Sequence, residues 1–262
     1  MKKILILLFI MAQNVYSQKI SFDNKISYKL SDLKSQFQIH TVEVYNYEIR
    51  TFEKYNAFSF KEILNKTYGK DNWQESFAIK ALTKDSYSPI IETYKFKKRK
   101  PYLAFEKSDK SSFTTIQDYK DEVINLTPFY LIWKEDYKKD AAKRRNHWVY
   151  RLTNFYLLKS EPNALIPKES APQGVKWGYK NYIKQCIGCH SILTIGGDSG
   201  GEMFKDIKIS NRSDTYLHKF ISNPRRLNKK SIMPPFPRKI DIRKERIINI
   251  VKYLRHMDKT KP

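Results

Sequence analysis

The 262-residue chain has only two cysteines, Cys186 and Cys189, and both lie in one short stretch. Cysteines this close in sequence cannot link distant segments, so the sequence excludes a fold held together by disulfides. The same count excludes zinc sites built from four thiolates. The stability of the fold must therefore come from packing of its hydrophobic residues, which make up 40% of the chain.

Glycine is nearly absent from the first two thirds of the chain. Only Gly69 precedes residue 170, whereas the other glycines follow it. Between the two regions, residues 161–173 contain several prolines and no periodic apolar pattern, which is typical of a linker. The sequence therefore predicts two domains, residues 18–160 and 174–262, joined by this linker.

No stretch of the chain reaches the roughly twenty apolar residues that span a bilayer. An apolar run over residues 4–12 follows Lys2 and Lys3 and precedes a cleavage-site pattern that ends at Ser17. This arrangement predicts a signal peptide over residues 1–17 and export to the periplasm. The alternative is that the run is retained as an N-terminal anchor.

Acidic residues are few relative to basic ones. The chain has 50 Lys and Arg against 27 Asp and Glu, a net charge of +23. Residues 171–262 alone carry 20 basic and 7 acidic side chains. The electric field of this positive charge favours an acidic redox partner or an anionic membrane surface. Nucleic acid is not expected as a partner, because the protein is predicted to be exported. A lysine-rich composition without a specific partner is the alternative.

Periodicity predicts a different fold class for each half. Strands rich in β-branched and aromatic residues are predicted at Ile39–Ile49, Phe77–Thr83, Tyr102–Glu106, Phe129–Trp133 and Trp148–Leu158. One helix is predicted over 60–68, where Ser59 and Glu62 form a capping-box pattern. After the linker, apolar residues are spaced as on one face of a helix in three places: before Cys186, around 214–221 and near the C-terminus. We expect a β-rich α+β domain followed by a small all-α domain.

Cys186-Ile187-Gly188-Cys189-His190 is a C-x-x-C-H motif. Its two thiols lie one helical turn apart, where both can form thioethers with the vinyl groups of one haem c, and His190 can bind the iron. The alternatives are a structural disulfide, a thioredoxin-like redox pair and half of a zinc site. The missing cysteines disfavour zinc, and the helical pattern before the motif disfavours a thioredoxin-like site.

Met233 is the candidate for the second axial ligand of the iron. It lies in a proline-stiffened segment, residues 231–237, that can hold a thioether against the open face of a haem. Met203 follows the motif closely and would lie on the same side of the haem as His190. Met257 lies near the end of the last predicted helix. Both positions are less suited to the second axial ligand. His218 and His256 are rival ligands that the pattern places on the surface.

Residues 174–262 resemble a class I cytochrome c domain through four motifs in order. These are Gly178-x-x-x-Tyr182-x-x-x-Cys186-x-x-Cys189-His190, Phe220-Ile221-Ser222-Asn223-Pro224, Met233-Pro234-Pro235-Phe236 and Ile250-Val251-Lys252-Tyr253-Leu254. The resemblance implies that the first and last helices cross at Gly178. Family members often hold the proximal histidine with a proline carbonyl, but residues 191–201 contain no proline. The acceptor for the second nitrogen of His190 is therefore not identified by the sequence.

The N-terminal half resembles a sulfite-oxidase-like molybdopterin domain over about 110 residues. The matching segments are Phe58–Leu64, Lys84–Ser88, Pro128–Trp133 and Trp148–Leu152. Members that bind molybdenum use a cysteine thiolate, and residues 18–170 contain no cysteine. The resemblance therefore implies a scaffold without the cofactor.

Together these features predict an exported monohaem c-type cytochrome that transfers single electrons between redox partners, with the N-terminal domain as a docking scaffold. Filled axial positions and the absence of a second haem motif favour an electron carrier over an enzyme. The alternatives are a haem-containing subunit of a periplasmic oxidoreductase, or a haem peroxidase or sensor.

Overall fold

A computed structural model describes residues 18–46, 51–117, 122–134, 148–238 and 240–260. The predicted signal peptide, residues 1–17, lies outside these residues. The α-helices of the described part are α1 Leu30–Gln36, α2 Phe60–Tyr68, α3 Lys70–Glu75, α4 Thr93–Lys98, α5 Gln173–Gln185, α6 Asp214–Ser222 and α7 Arg243–Thr260. Short 3-10 helices cover Asn163–Leu165, Ile209–Asn211 and Pro224–Arg226.

The β-strands form two larger sheets and two hairpins. The strands are β1 Lys19–Phe22, β2 Ile26–Lys29, β3 Ile39–Asn46, β4 Thr51–Ser59, β5 Ala78–Thr83, β6 Ile90–Glu92, β7 Lys100–Lys107, β8 Thr114–Gln117, β9 Glu122–Asn125, β10 Tyr130–Lys134, β11 Leu152–Leu158, β12 Ser191–Ile192 and β13 Ile195–Gly196. One sheet has the order β2-β1-β11-β5-β6, in which only β1 and β11 run parallel. The other is antiparallel, with the order β10-β7-β4-β3, and β8-β9 and β12-β13 form the hairpins.

A large apolar core joins the two sheets of the N-terminal half. It includes Phe22 and Phe155 from the first sheet, Phe58 and Trp133 from the second, and Trp73 from α3, all almost fully buried. Strand β10 is buried on both faces: Leu131 and Trp133 belong to this core, and Tyr130 and Ile132 belong to a second apolar cluster with Val42 and Val44 of β3.

The C-terminal helices pack around the crossing of α5 and α7 at Gly178. A Cβ atom added at Gly178 would lie 1.9 Å from the carbonyl oxygen of Asn249 and 2.7 Å from Cβ of Tyr253. Only glycine lets the two backbones come this close. The buried rings of Tyr179 and Tyr182 pack against Tyr253 next to the crossing.

The predicted fold class is wrong in one respect, because the C-terminal helices do not form a clearly separate all-α domain. Their core includes Ala78 of β5 and Ile90 of β6, and Phe77 and Leu158 pack against it. The β12-β13 hairpin also lies within this region. Apolar periodicity shows that a helix face is buried but not which element covers it, so the shared core could not be read from the sequence. The described chain is a β-rich α+β fold.

Several smaller predictions can be compared with the structure. Helix α2 covers the predicted residues 60–68, but Ser59 makes no side-chain capping hydrogen bond. Strand β3 ends at Asn46, and residues 47–49 of its predicted range lie outside the described residues. Within the predicted linker, Leu165 is fully buried and its carbonyl accepts a hydrogen bond from the Tyr253 hydroxyl at 2.8 Å. In the described part of the chain, no helix combines the length and apolar character needed to cross a membrane.

Candidate haem site

The C-x-x-C-H motif forms a helical turn that continues from α5. The amide of Cys186 donates to the carbonyl of Tyr182 at 2.8 Å. The amides of Cys189 and His190 both donate to the carbonyl of Cys186, at 3.0 and 2.9 Å. Gly178, Tyr182 and Cys186 are all buried, as expected for residues on one helix face. The turn therefore presents both thiols and the imidazole from one short rigid segment.

The two cysteines are free thiols, so the structure does not form the disulfide that was one alternative. Burial raises the pKa of Cys186 to about 12, and the neighbouring Cys189 adds to the shift. Burial also raises the pKa of Cys189, although a hydrogen bond with Ser199 opposes this. A thioredoxin-like site needs a thiol whose pKa is lowered, so both shifts oppose that alternative.

His190 is buried and held by two hydrogen bonds, one at its imidazole and one at its backbone carbonyl. Its Nδ1 lies 3.2 Å from the carbonyl oxygen of Gly201, which can only accept, so Nδ1–H is the donor. The hydroxyl of Tyr182 donates to the carbonyl of His190 at 3.1 Å. Burial lowers the pKa of His190, partly opposed by the carbonyls of Gly201 and Gly200. The hydrogen bond at Nδ1 leaves Nε2 as the ring nitrogen that could bind a metal, and Gly201 is the acceptor that the sequence did not identify.

Glycines line the space around this imidazole. A Cβ atom at Gly200 would lie 2.5 Å from Cε1 and 2.7 Å from Nδ1 of His190. One at Gly196 would lie 2.3 Å from the carbonyl oxygen of His190, and one at Gly197 would lie 1.9 Å from that of Gly188. The glycine cluster that appears in the sequence after the motif is therefore a close-packed backbone cradle.

The segment that carries Met233 is anchored to α6 and α7. The amide of Phe236 donates to the carbonyl of Ile221 at 3.1 Å. The guanidinium of Arg243 donates to the carbonyls of Phe236 and Ser222, at 3.1 and 2.6 Å. Met233 itself is partly buried against the same apolar cluster that contains Cys186. Arg243 is thus a positioning residue for the Met233 segment, and the sequence analysis did not identify it.

The other candidate axial ligands differ in their surroundings. Met203 and Met257 are both buried, and Met257 belongs to the packed face of α7, not to a frayed end. His256 is partly exposed. His218 is partly buried, and its Nε2 is a buried atom without a hydrogen-bond partner in the described part of the chain. Of the two rival histidines, His218 is therefore the one that the structure keeps as a candidate.

A basic cleft lies between α6, the turn after it and the start of α7. It has a volume of about 720 Å³. Its lining residues are His218, Lys219, Ser222, Asn223, Arg226, Leu227, Arg238 and Arg243. Because four of these residues are permanently cationic and none is acidic, the cleft is suited to a negatively charged group.

The donor set of the motif fits a covalently held haem. Two thiols stand one turn apart, and an imidazole that is hydrogen-bonded at Nδ1 could offer its Nε2 to iron. A zinc site is less well supported, because the described residues contain no group of three or more His, Cys, Asp or Glu side chains placed to hold a metal ion.

No known protein-family model matches this chain, and no curated protein matches it. Nothing in these comparisons or in the described structure shows a class I cytochrome c domain or a sulfite-oxidase-like domain. Both predicted family resemblances are therefore wrong as assignments of this chain. The chain shares short motifs with these families in the expected order, but the sequence between the motifs is not similar enough to match either family.

Proposed function

We propose that this protein is exported, binds one haem covalently through Cys186 and Cys189, and transfers single electrons. The observation that carries the proposal is the C-x-x-C-H turn, in which two neutral thiols accompany a buried imidazole held at Nδ1 by Gly201. Support for export comes from residues 1–17, whose basic start and apolar run are typical of a signal peptide.

When bound, a haem supplies one-electron chemistry at its iron. The protein would hold it by two thioether bonds and by Nε2 of His190. Gly201 would orient the imidazole and increase its basicity as a ligand. The Met233 thioether, on a segment anchored by Arg243, would be a further ligand to the iron, and a thioether ligand favours the ferrous state. This arrangement favours an electron carrier over the alternative of a haem peroxidase or sensor.

Covalent haem attachment is the direct test of this proposal. The full chain should be produced in a bacterial periplasm together with the machinery that attaches haem c. We expect the purified protein to contain one iron per chain and to retain its haem colour on a denaturing gel. Replacing both thiols, Cys186→Ala with Cys189→Ala, should abolish the retained haem, because no thioether can form.

A matched control separates attachment from folding. Met203→Ala removes a buried side chain close to the motif but no proposed bond to the haem. That variant should keep its covalent haem even if it is less stable. The proposal is refuted if the unaltered chain carries no haem, or if the double cysteine variant retains it under denaturing conditions.

We further propose that the redox partner is acidic and meets the protein at the basic cleft. The cleft lies next to the anchored Met233 segment, because Arg243 contributes to both. Opposite charges on the two proteins would raise the rate of encounter at low salt. An anionic membrane surface is the alternative occupant.

Charge reversal at the cleft tests this surface with small redox probes. Lys219→Glu with Arg226→Glu changes two exposed side chains of the cleft. At low salt we expect oxidation by anionic hexacyanoferrate(III) to slow about tenfold, and the effect should fade at high salt. The control is Lys25→Glu with Lys29→Glu, an equal charge change on two exposed lysines at the β1-β2 hairpin.

Cationic hexaammineruthenium(III) should show the opposite trend with the cleft variant. Equal effects of the two charge reversals on both probes would mean that net charge, not the cleft, controls encounter. Binding of the unaltered protein to vesicles with anionic lipid, lost in the cleft variant, would identify a membrane surface instead.

A further inference from the structure

The turn between β5 and β6 lies against the back of the C-x-x-C-H motif; we call residues 84–88 the strap. The ring of Tyr87 packs on Gly188, where an added Cβ would lie 2.4 Å from Cε2 of the ring. The amide of Ser88 donates to the carbonyl of Gly188 at 2.6 Å, and the amide of Asp198 donates to the carbonyl of Ser86 at 3.0 Å. The strap is therefore bonded both to the motif and to the glycine cradle that follows it.

The strap is itself held in a fixed shape. The amide of Thr83 donates to the carbonyl of Tyr87 at 3.1 Å, and the amide of Ser86 donates to the carbonyl of Thr83 at 3.1 Å. Asp85 pairs with Arg151 of the neighbouring strand segment at 3.3 Å. Ser86 has a φ of 62°, a left-handed conformation that a non-glycine residue keeps only when its surroundings require it.

The strap covers the side of the motif that carries Cys189. Burial raises the pKa of the Tyr87 phenol, and the neighbouring Cys189 and Asp85 add to the shift. The Tyr87 ring lies directly over Gly188, one of the two residues between the cysteines, and so covers this part of the backbone. Solvent exposure and backbone position around a haem both influence its reduction potential.

We propose that the strap is a positioning element of the haem site, which fixes the Gly188–Cys189 backbone and keeps water from that side of the motif. The inference rests on the proposed function, since it concerns the same motif. It gives the N-terminal half a part in the site itself, beyond that of a docking scaffold. Tyr87 and Ser88 act through the motif backbone, and neither is a ligand.

Removing the Tyr87 ring tests the proposal in the full-length, haem-loaded protein. In Tyr87→Ala we expect the reduction potential to shift to a more negative value, because water reaches the motif that would carry the haem and the motif backbone is no longer held. Hydrogen exchange at the amides of Ser88 and Asp198 should become at least about tenfold faster, because the strap is no longer held down. Tyr87→Phe keeps the ring and should match the unaltered protein in both measurements.

A second pair of variants tests the contact from the side of the motif. Gly188→Ala places a methyl group against the Tyr87 ring, so it should speed exchange at Ser88 and Asp198 in the same way. In the Tyr87→Ala background, Gly188→Ala should add little, since the clashing ring is gone. Tyr94→Ala is the control, because Tyr94 is 51% exposed on α4.

The outcomes separate this inference from the proposed function. If the unaltered chain binds haem but Tyr87→Ala leaves both the potential and the exchange rates unchanged, the strap proposal fails alone. If the unaltered chain binds no haem, the proposed function fails, and the strap loses its role in a haem site with it. Equal effects of Tyr94→Ala and Tyr87→Ala would also overturn the strap proposal.

Discussion

Gly178→Ala should lower the free energy of unfolding by about 2 kcal/mol or more, although alanine is the better helix former. The higher helix propensity of alanine would by itself stabilise α5 by only about 1 kcal/mol. The added Cβ atom would lie 1.9 Å from the carbonyl oxygen of Asn249. This oxygen belongs to the backbone of α7, so it cannot move aside without moving the helix. The α5-α7 crossing must therefore open. In a chain of this size, thermal unfolding should occur roughly 4–8 °C lower.

Gly174→Ala is the matched control for this prediction, because it lies one turn earlier on the same helix. There the added Cβ would meet only side-chain atoms, Oδ1 of Asn249 at 3.0 Å and Cδ of Lys252 at 3.3 Å. Those side chains can rotate away, so the helix propensity gain should leave stability unchanged or slightly higher. Similar unfolding temperatures for the two variants would show that the close approach at Gly178 does not govern the packing of α5 on α7.

The elements that the sequence predicted well are those with a strong local pattern. Helix α2 and helix α6 were predicted to within a residue, because their apolar spacing is regular and a polar residue precedes each. In α6, Ser213 accepts a hydrogen bond from the amide of Tyr216 at 3.2 Å. The strands of two to four residues in β1-β2, β8-β9 and β12-β13 were missed, because so few residues show no measurable periodicity. The nine-residue strand β4 was also missed, so short length does not explain every miss.

The site was predictable only where its residues are contiguous. Cys186, Cys189 and His190 lie in one motif, and their relative placement follows from one helical turn. Tyr87 and Arg243 reach the site from segments far away in the sequence, and their contacts with Gly188 and Phe236 depend on how the whole chain packs. The same reason explains the wrong fold class, since no local pattern indicates that β5 and β6 share a core with the C-terminal helices.

Met233→Ala should convert the haem from a six-coordinate to a five-coordinate state, provided that haem is bound as proposed. The near-infrared band that reports an iron–sulfur bond should disappear completely. The reduction potential should fall, because a thioether ligand favours ferrous iron. Carbon monoxide, which needs an open axial position, should bind the reduced variant but not the reduced parent. Spectra of the oxidised and reduced proteins, with and without carbon monoxide, measure all of these changes.

Three further variants identify the sixth ligand by contrast. Met203→Ala and Met257→Ala remove buried methionines and should cost about 2–5 kcal/mol of stability while leaving the iron–sulfur band in place. His218→Ala removes the side chain whose buried Nε2 has no partner in the described part of the chain, and it too should leave the band unchanged. A six-coordinate spectrum that survives Met233→Ala but is lost in His218→Ala would transfer the ligand role to His218. Because paired histidine ligands hold iron at a lower potential, the protein would then deliver electrons to a different range of partners.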